Sequence, residues 1–208
     1  MQRWSGPESV AGYNHRMAGG PLALVPELDD FRRQFEDVTT TVNALIEPLR
    51  DDQFAWCPAP GAWSVAHCLD HLNATARLYL PMLDEGISQA IRRGIYGEGP
   101  FTYSWLGRLF VFANEPPPRF RVGAPQRMHP APSRPRHEIV AALRAYQVQY
   151  VDRLRQANGL DLARARVRSP IAGWLRFSLG AGFALMAAHE RRHIWQARRI
   201  IAMPEFPH

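Results

Sequence analysis

The sequence predicts an all-α fold, a four-helix bundle, and three observations carry the prediction. Apolar residues recur at spacings of three and four along four long segments. No stretch carries sustained β alternation bounded by turn signals. The length of 208 residues, 46% hydrophobic and 21% charged, suits one core built from those segments.

The elements follow in chain order. Residues 1–21 are Gly-rich and patternless and read as a loose tail, leaving 22–208 as the folded domain. A first helix is expected from about Pro26 to Arg50, where Leu28, Phe31, Phe35, Val38, Val42, Leu45, Ile46 and Leu49 form a stripe. The segment from Cys57 to Gly61 breaks it. A second helix starts at Trp63-Ser64, with Ser64 as its N-cap, and runs to about Arg93. Its apolar face includes Cys68, Leu72, Leu78 and Met82, and Pro81 should kink or interrupt it. Gly94, Gly97 and Gly99-Pro100 stop it.

Residues 95–135 then form a long connection between the second and third helices. It holds a brief apolar helix from Tyr103 to Ala113, then a Pro-rich stretch. Hairpins between adjacent helices take only a few residues, so this length reads as a crossover. A third helix spans about Pro135 to Ala157 and is stopped by Asn158-Gly159. A fourth spans about Phe177 to Met203.

Composition excludes several classes. No apolar run reaches the ~18–20 residues of a membrane helix, and the first twenty residues lack the apolar stretch of a secretory signal. Two cysteines, Cys57 and Cys68, exclude a disulfide scaffold and a four-cysteine zinc site. A cytoplasmic location is therefore expected. The net charge is +6, and because lysine is absent all 25 basic residues are arginine. These arginines are scattered and not interleaved with aromatics, which fits a solvated face better than a nucleic-acid surface.

The chemistry lies in the histidines. His67 and His71 stand four apart near the start of the second helix, and His189 and His193 stand four apart in the fourth. Residues at this spacing share a helix face, so both imidazoles of a pair can reach one metal ion. His189 and His193 also fall on the apolar stripe, one turn after Met186 and one turn before Ala197. Two inward imidazoles are hard to satisfy by packing alone, which favours a divalent-metal site.

A third ligand must come from another helix at the same height. In an up-down-up-down bundle the second and fourth helices would be parallel, placing His71 about 10 Å and His189 about 18 Å from their helix starts. Those levels do not match. If the crossover makes the second and third helices parallel, the second and fourth become antiparallel, and His71 faces His193 within about a turn. The expected order is up-down-down-up, with His71, His189 and His193 as ligands.

His189-Glu190-Arg191-Arg192-His193 also spells the H-E-x-x-H zinc-protease pattern, in which the Glu is general base. Its extended form needs Gly at position 196 and His at position 199, where this chain has Gln196 and Arg199. Glu190 points about 100° around the helix from His189 and is expected to be a surface or inter-helix partner. A metal hydrolase is thus the remote alternative.

Gly61-Ala62-Trp63-Ser64-Val65, followed by His71-Leu72, resembles the second-helix signature of the DinB/YfiT-like superfamily, and His189 to Gln196 is similar to its H-x-x-x-H-x-x-Q signature. The resemblance covers about residues 25–203. It implies an up-down-down-up bundle, often a homodimer, with a three-histidine divalent-metal site carried by His71, His189 and His193. It also implies thiol-dependent S-transferase or isomerase chemistry: zinc or nickel as cofactor, a low-molecular-weight thiol, and a small electrophilic substrate. The 95–135 connection is longer than in compact members. The family name refers to damage-inducible expression, a stress response, and does not itself imply DNA binding.

Around that site, His67 could be a fourth ligand, but it is expected rather to support a ligand from behind or to stand exposed at the third helix position. Cys68 can approach the site or serve as a small core residue, and Trp63 is a packing anchor at the rim. Gln196 either bonds a ligand or makes a polar bundle contact. Tyr103, Trp105 and Phe110 either roof the pocket or form a dimer surface. The alternative to an enzyme is a bundle that binds metal or a stress ligand without turnover, and the absence of a clear second acid or base speaks for it.

Overall fold

The computed structural model describes residues 23–119, 123, 125–130 and 134–208, and the expected tail over 1–21 lies outside them. The described chain is mostly helical: α1 (Pro26–Ile46), α2 (Asp51–Ala55), α3 (Val65–Arg92), α4 (Trp105–Asn114), α5 (Arg136–Gln156) and α6 (Leu179–Ile201). A 3-10 turn covers Gln126–Met128. Two short strands, β1 (Arg166–Arg168) and β2 (Arg176–Ser178), pair antiparallel with Val167 opposite Phe177. No described helix is long and apolar enough to cross a membrane.

The first helix ends earlier than its apolar stripe. Pro48 has no N–H to continue the ladder, so α1 stops at Ile46, and Leu49 and Phe54 are buried from the turn and α2 beyond it. At the start of α3, the Ser64 side chain accepts from the His67 backbone N–H at 3.1 Å. The helix then continues through Pro81, against the expected interruption. Pro81 and Arg77, whose carbonyl loses its usual partner, are both exposed, so water can serve that carbonyl. The buried face of α3 includes Cys68 and Leu72 as expected but departs from the expected stripe in its second half. Leu80, Leu83 and Ile87 are buried, while Leu78 and Met82 are only half-buried.

The helices pack in definite pairs: α3 lies against α5 and α6, and α1 lies against α5 and α6. Polar contacts fix their levels. Asn73 Nδ2, early in α3, donates to the Ile139 carbonyl, early in α5, at 3.0 Å. Late in the same two helices, Arg153 makes a two-pronged contact with Asp84, both bonds 2.9 Å. Arg136, at the start of α5, donates to the Leu49 carbonyl just past α1, while the Val25 N–H before α1 donates to Asn158 after α5 at 3.1 Å.

One apolar cluster gathers Phe31, Phe35, Leu83, Ile87, Tyr150 and Phe183, with Phe35 stacked on Tyr150 at a centroid distance of 4.6 Å. A second gathers Val42, Ile46, Leu69, Leu72, Leu143 and Ile194 toward the other end.

The hairpin is a correction to the expectation of no strand. Each strand has three residues, too few for alternation to register in the sequence. Its seat on α3 depends on Gly86, where a Cβ would stand 2.5 Å from Val167 Cγ1 and 2.9 Å from the Arg166 carbonyl oxygen. The helix of the connection is tied down similarly. The Tyr103 hydroxyl donates to Glu27, and its ring lies where a Cβ on Gly180 would be, 2.3 Å from Cζ. α4 thereby packs along α6.

Candidate metal centre

α3 contributes His71 from its second turn, and α6 contributes His189 and His193 from consecutive turns. One ligand atom from each of the three histidines lies within 4.8 Å of the other two. The ring centroids are 4.4 Å apart for His71 and His193, 4.5 Å for His189 and His193, and 5.1 Å for His71 and His189.

The protonation of His71 follows from its neighbour. Its Nδ1 lies 2.6 Å from the Met128 carbonyl oxygen, which can only accept, so Nδ1 carries the proton and donates. In the neutral ring the lone pair is then on Nε2, which faces His189 Nε2 at 3.2 Å. A metal-binding imidazole is commonly oriented this way, by a carbonyl on its far nitrogen. The carbonyl comes from the 3-10 turn of the crossover, so the long connection helps to build the site.

Burial keeps the three rings neutral. Desolvation is the largest influence on each: it lowers the His71 pKa below the ordinary value, takes His189 down to about 3, and holds His193 well below. The charge of nearby Arg192 acts in the same direction on all three. Neutral imidazoles are the form that binds a metal. Among the described residues His193 Nδ1 is buried without a hydrogen-bond partner, a deficit that packing alone leaves unexplained. Three converging neutral imidazoles with few competing partners fit a borderline-soft divalent ion.

The site opens on a cavity of about 1270 Å³. Trp63 forms part of its wall, with its ring 4.9 Å from His71 and 5.7 Å from His193. Gln196 also lines it and opposes the fall in the His193 pKa through a side-chain hydrogen bond. The hairpin supplies Ser169, Leu175 and Phe177, and the turn between its strands supplies Ile171 and Trp174. Of the aromatic residues singled out in the connection, Phe110 lines the cavity, Tyr103 is the tie to Glu27, and Trp105 is 70% exposed.

Two expected neighbours stand elsewhere. His67 Nδ1 accepts from the Ser64 backbone N–H at 3.1 Å and completes the helix cap, outside both the three-histidine group and the cavity wall. Cys68 is fully buried among Val65, Leu69 and Leu72, with its thiol pushed up to about 12 by burial.

Of the two places expected for Glu190, the surface or a contact between helices, the structure shows the second: it is buried and faces another element. Gln147 Nε2 of α5 donates to its Oε1 at 2.7 Å, and burial raises its pKa to about 8. Neither residue lines the cavity. The general-base position of the H-E-x-x-H pattern is therefore turned away from the histidines. Sequence reasoning missed the Met128 carbonyl, which carries no side-chain signal, and Arg192, which lines the cavity as one arginine among 25 basic residues.

Residues 34–197 match the family model of the DinB superfamily. No curated protein and no solved structure matches the chain.

Proposed function

The chain belongs to the DinB superfamily, and from that premise we propose that it is a divalent-metal-dependent enzyme transferring a low-molecular-weight thiol to a small electrophile. The observation that carries this is the convergence of His71, His189 and His193, one ligand atom from each lying within 4.8 Å of the others. These residues would hold zinc or nickel. Held there, such an ion would lower the pKa of a bound thiol or water and so supply a nucleophile near neutral pH.

The chain's own residues do the rest. Met128 holds the His71 ring by its carbonyl, Trp63 packs against the rings of His71 and His193, and Gln196 supports His193 by a side-chain hydrogen bond. The cavity of about 1270 Å³ exceeds the ~300–1,000 Å³ of ordinary small-molecule sites, leaving room for thiol and substrate together.

The architecture in this reading is an up-down-down-up four-helix bundle of α1, α3, α5 and α6. The early-to-early and late-to-late contacts of α3 with α5 support a parallel pair. The end-to-start contacts of α1 with α5 support an antiparallel one. His71, early in α3, meets His189 and His193 in the second half of α6, which supports the antiparallel pair the crossover requires. A cytoplasmic homodimer without nucleic-acid affinity completes the proposal, on the family resemblance and the composition.

One observation favours the alternative of binding without turnover. No Asp or Glu lines the cavity among the described residues, so no carboxylate stands ready as a second acid or base. The same observation counts against a hydrolase of the H-E-x-x-H type. The two readings separate when zinc-loaded protein is mixed with monobromobimane and a panel of small thiols. Thiol consumption above the uncatalysed rate, abolished by chelation and by His189→Ala, supports the enzyme. Equal rates with and without protein for every thiol would leave the binder.

A further inference from the structure

The cavity wall is one-sided in charge. Among its described residues there is no carboxylate and a single arginine, Arg192, while Trp63, Phe110, Trp174, Phe177 and Trp195 give it an aromatic lining. Arg192 sits between His189 and His193 in the chain, and its charge is felt by all three imidazoles. Its Nη1–H donates to the Ala113 carbonyl at 3.2 Å, which fixes the guanidinium near the end of α4. The preceding Arg191 already grips α4 at Glu115, bonding both carboxylate oxygens, and also reaches Gln34 of α1, yet it does not line the cavity.

A guanidinium partly removed from water, in a pocket whose described lining holds no carboxylate, gains more from an anion than an exposed one does. Its planar fork also matches a carboxylate. A dication on three neutral ligands would add positive charge at the same place. We infer that Arg192 is the anion subsite of this cavity and selects small molecules with an aromatic or apolar body and a carboxylate over uncharged molecules of the same shape. The inference rests on reading the cavity as the substrate chamber, and it narrows the electrophile to an apolar carboxylic acid.

The test is calorimetric binding of 2-naphthoate and 2-naphthamide to the full chain, zinc-loaded and chelated, as wild type, Arg192→Gln and Arg192→Lys. Wild type is expected to prefer naphthoate by about tenfold or more in both metal states, the range of a charge-assisted hydrogen bond. Arg192→Gln brings the two affinities within about twofold of each other, with naphthamide affinity and zinc content unchanged, and Arg192→Lys keeps part of the preference. A preference that survives in Arg192→Gln overturns the proposal. So does one present only with zinc, because the carboxylate would then be held by the metal, and so does failure of both probes to bind. Should Arg192→Gln not fold, equal affinities in the chelated wild type still overturn it. Zinc content is read separately, so a chain without metal defeats the metal-centre reading while leaving the naphthoate preference of the chelated protein to decide on Arg192.

Discussion

His189 and Glu190 are neighbours in the chain on different faces of α6, and burial drives both to their neutral forms from opposite directions. The imidazole pKa falls to about 3 and the carboxyl pKa rises to about 8. On the cavity face the neutral group meets two others like it, and their ring nitrogens converge. On the core face the carboxyl meets one amide, Gln147, and its Oε2 has no partner among the described residues. A sequence motif on a helix need not act as a unit. The H-E-x-x-H string is divided by helix geometry, with its histidines in one environment and its acid in another.

The two faces respond differently to substitution, and the largest expected effect is on the core face. Phe183 is fully buried, with its ring 6.2 Å from that of Phe31. Phe183→Ala is expected to remove about 3–5 kcal/mol of stability in urea unfolding, while the fraction that remains folded keeps its metal. Loss below about 1 kcal/mol would mean that this face is not the closed core described here.

Glu190→Gln sharpens the comparison next. A carboxyl whose folded pKa is raised keeps its full stability contribution below the unfolded value of 4.5 and loses it as pH rises through about 8. Chelated wild type is therefore expected to weaken by on the order of a few kcal/mol between those limits relative to Glu190→Gln, which has no such proton to lose. Zinc content of the variant should equal that of wild type. Parallel pH profiles, or loss of zinc in the variant, would return Glu190 to the cavity side.

The smallest effect separates the two thiols. Cys57 is exposed, while Cys68 is fully buried with its pKa pushed up to about 12. At pH 8 a thiol-specific disulfide reagent should titrate one cysteine of the folded chain quickly and the second only on unfolding. Two equal fast phases would contradict the burial of the second-helix face beside the site.

What the sequence made legible follows the same division. The long helices were readable because their apolar stripes repeat over many turns, and Ser64 and Gly159 punctuate them as side-chain chemistry dictates. His71, His189 and His193 were readable as a group because two stand four apart on a stripe and helix rise sets the third at their level. The hairpin was not, since three-residue strands carry no period. Nor was the Met128 carbonyl, because every residue has one and only the crossover's path aims this one at His71. For Glu190 the sequence left two places open, the surface or a contact between helices, because helical geometry gives an angle around α6 but not which neighbour lies there; α5 lies there with Gln147.

The central claim is that the three histidines converge to hold a metal. Elemental analysis of untagged protein purified without chelator, beside His193→Ala, tests it most directly. About one equivalent of zinc, nickel or a similar ion per chain is predicted for wild type and far less for the variant. No metal in wild type after reconstitution, or equal metal in both, would contradict the claim.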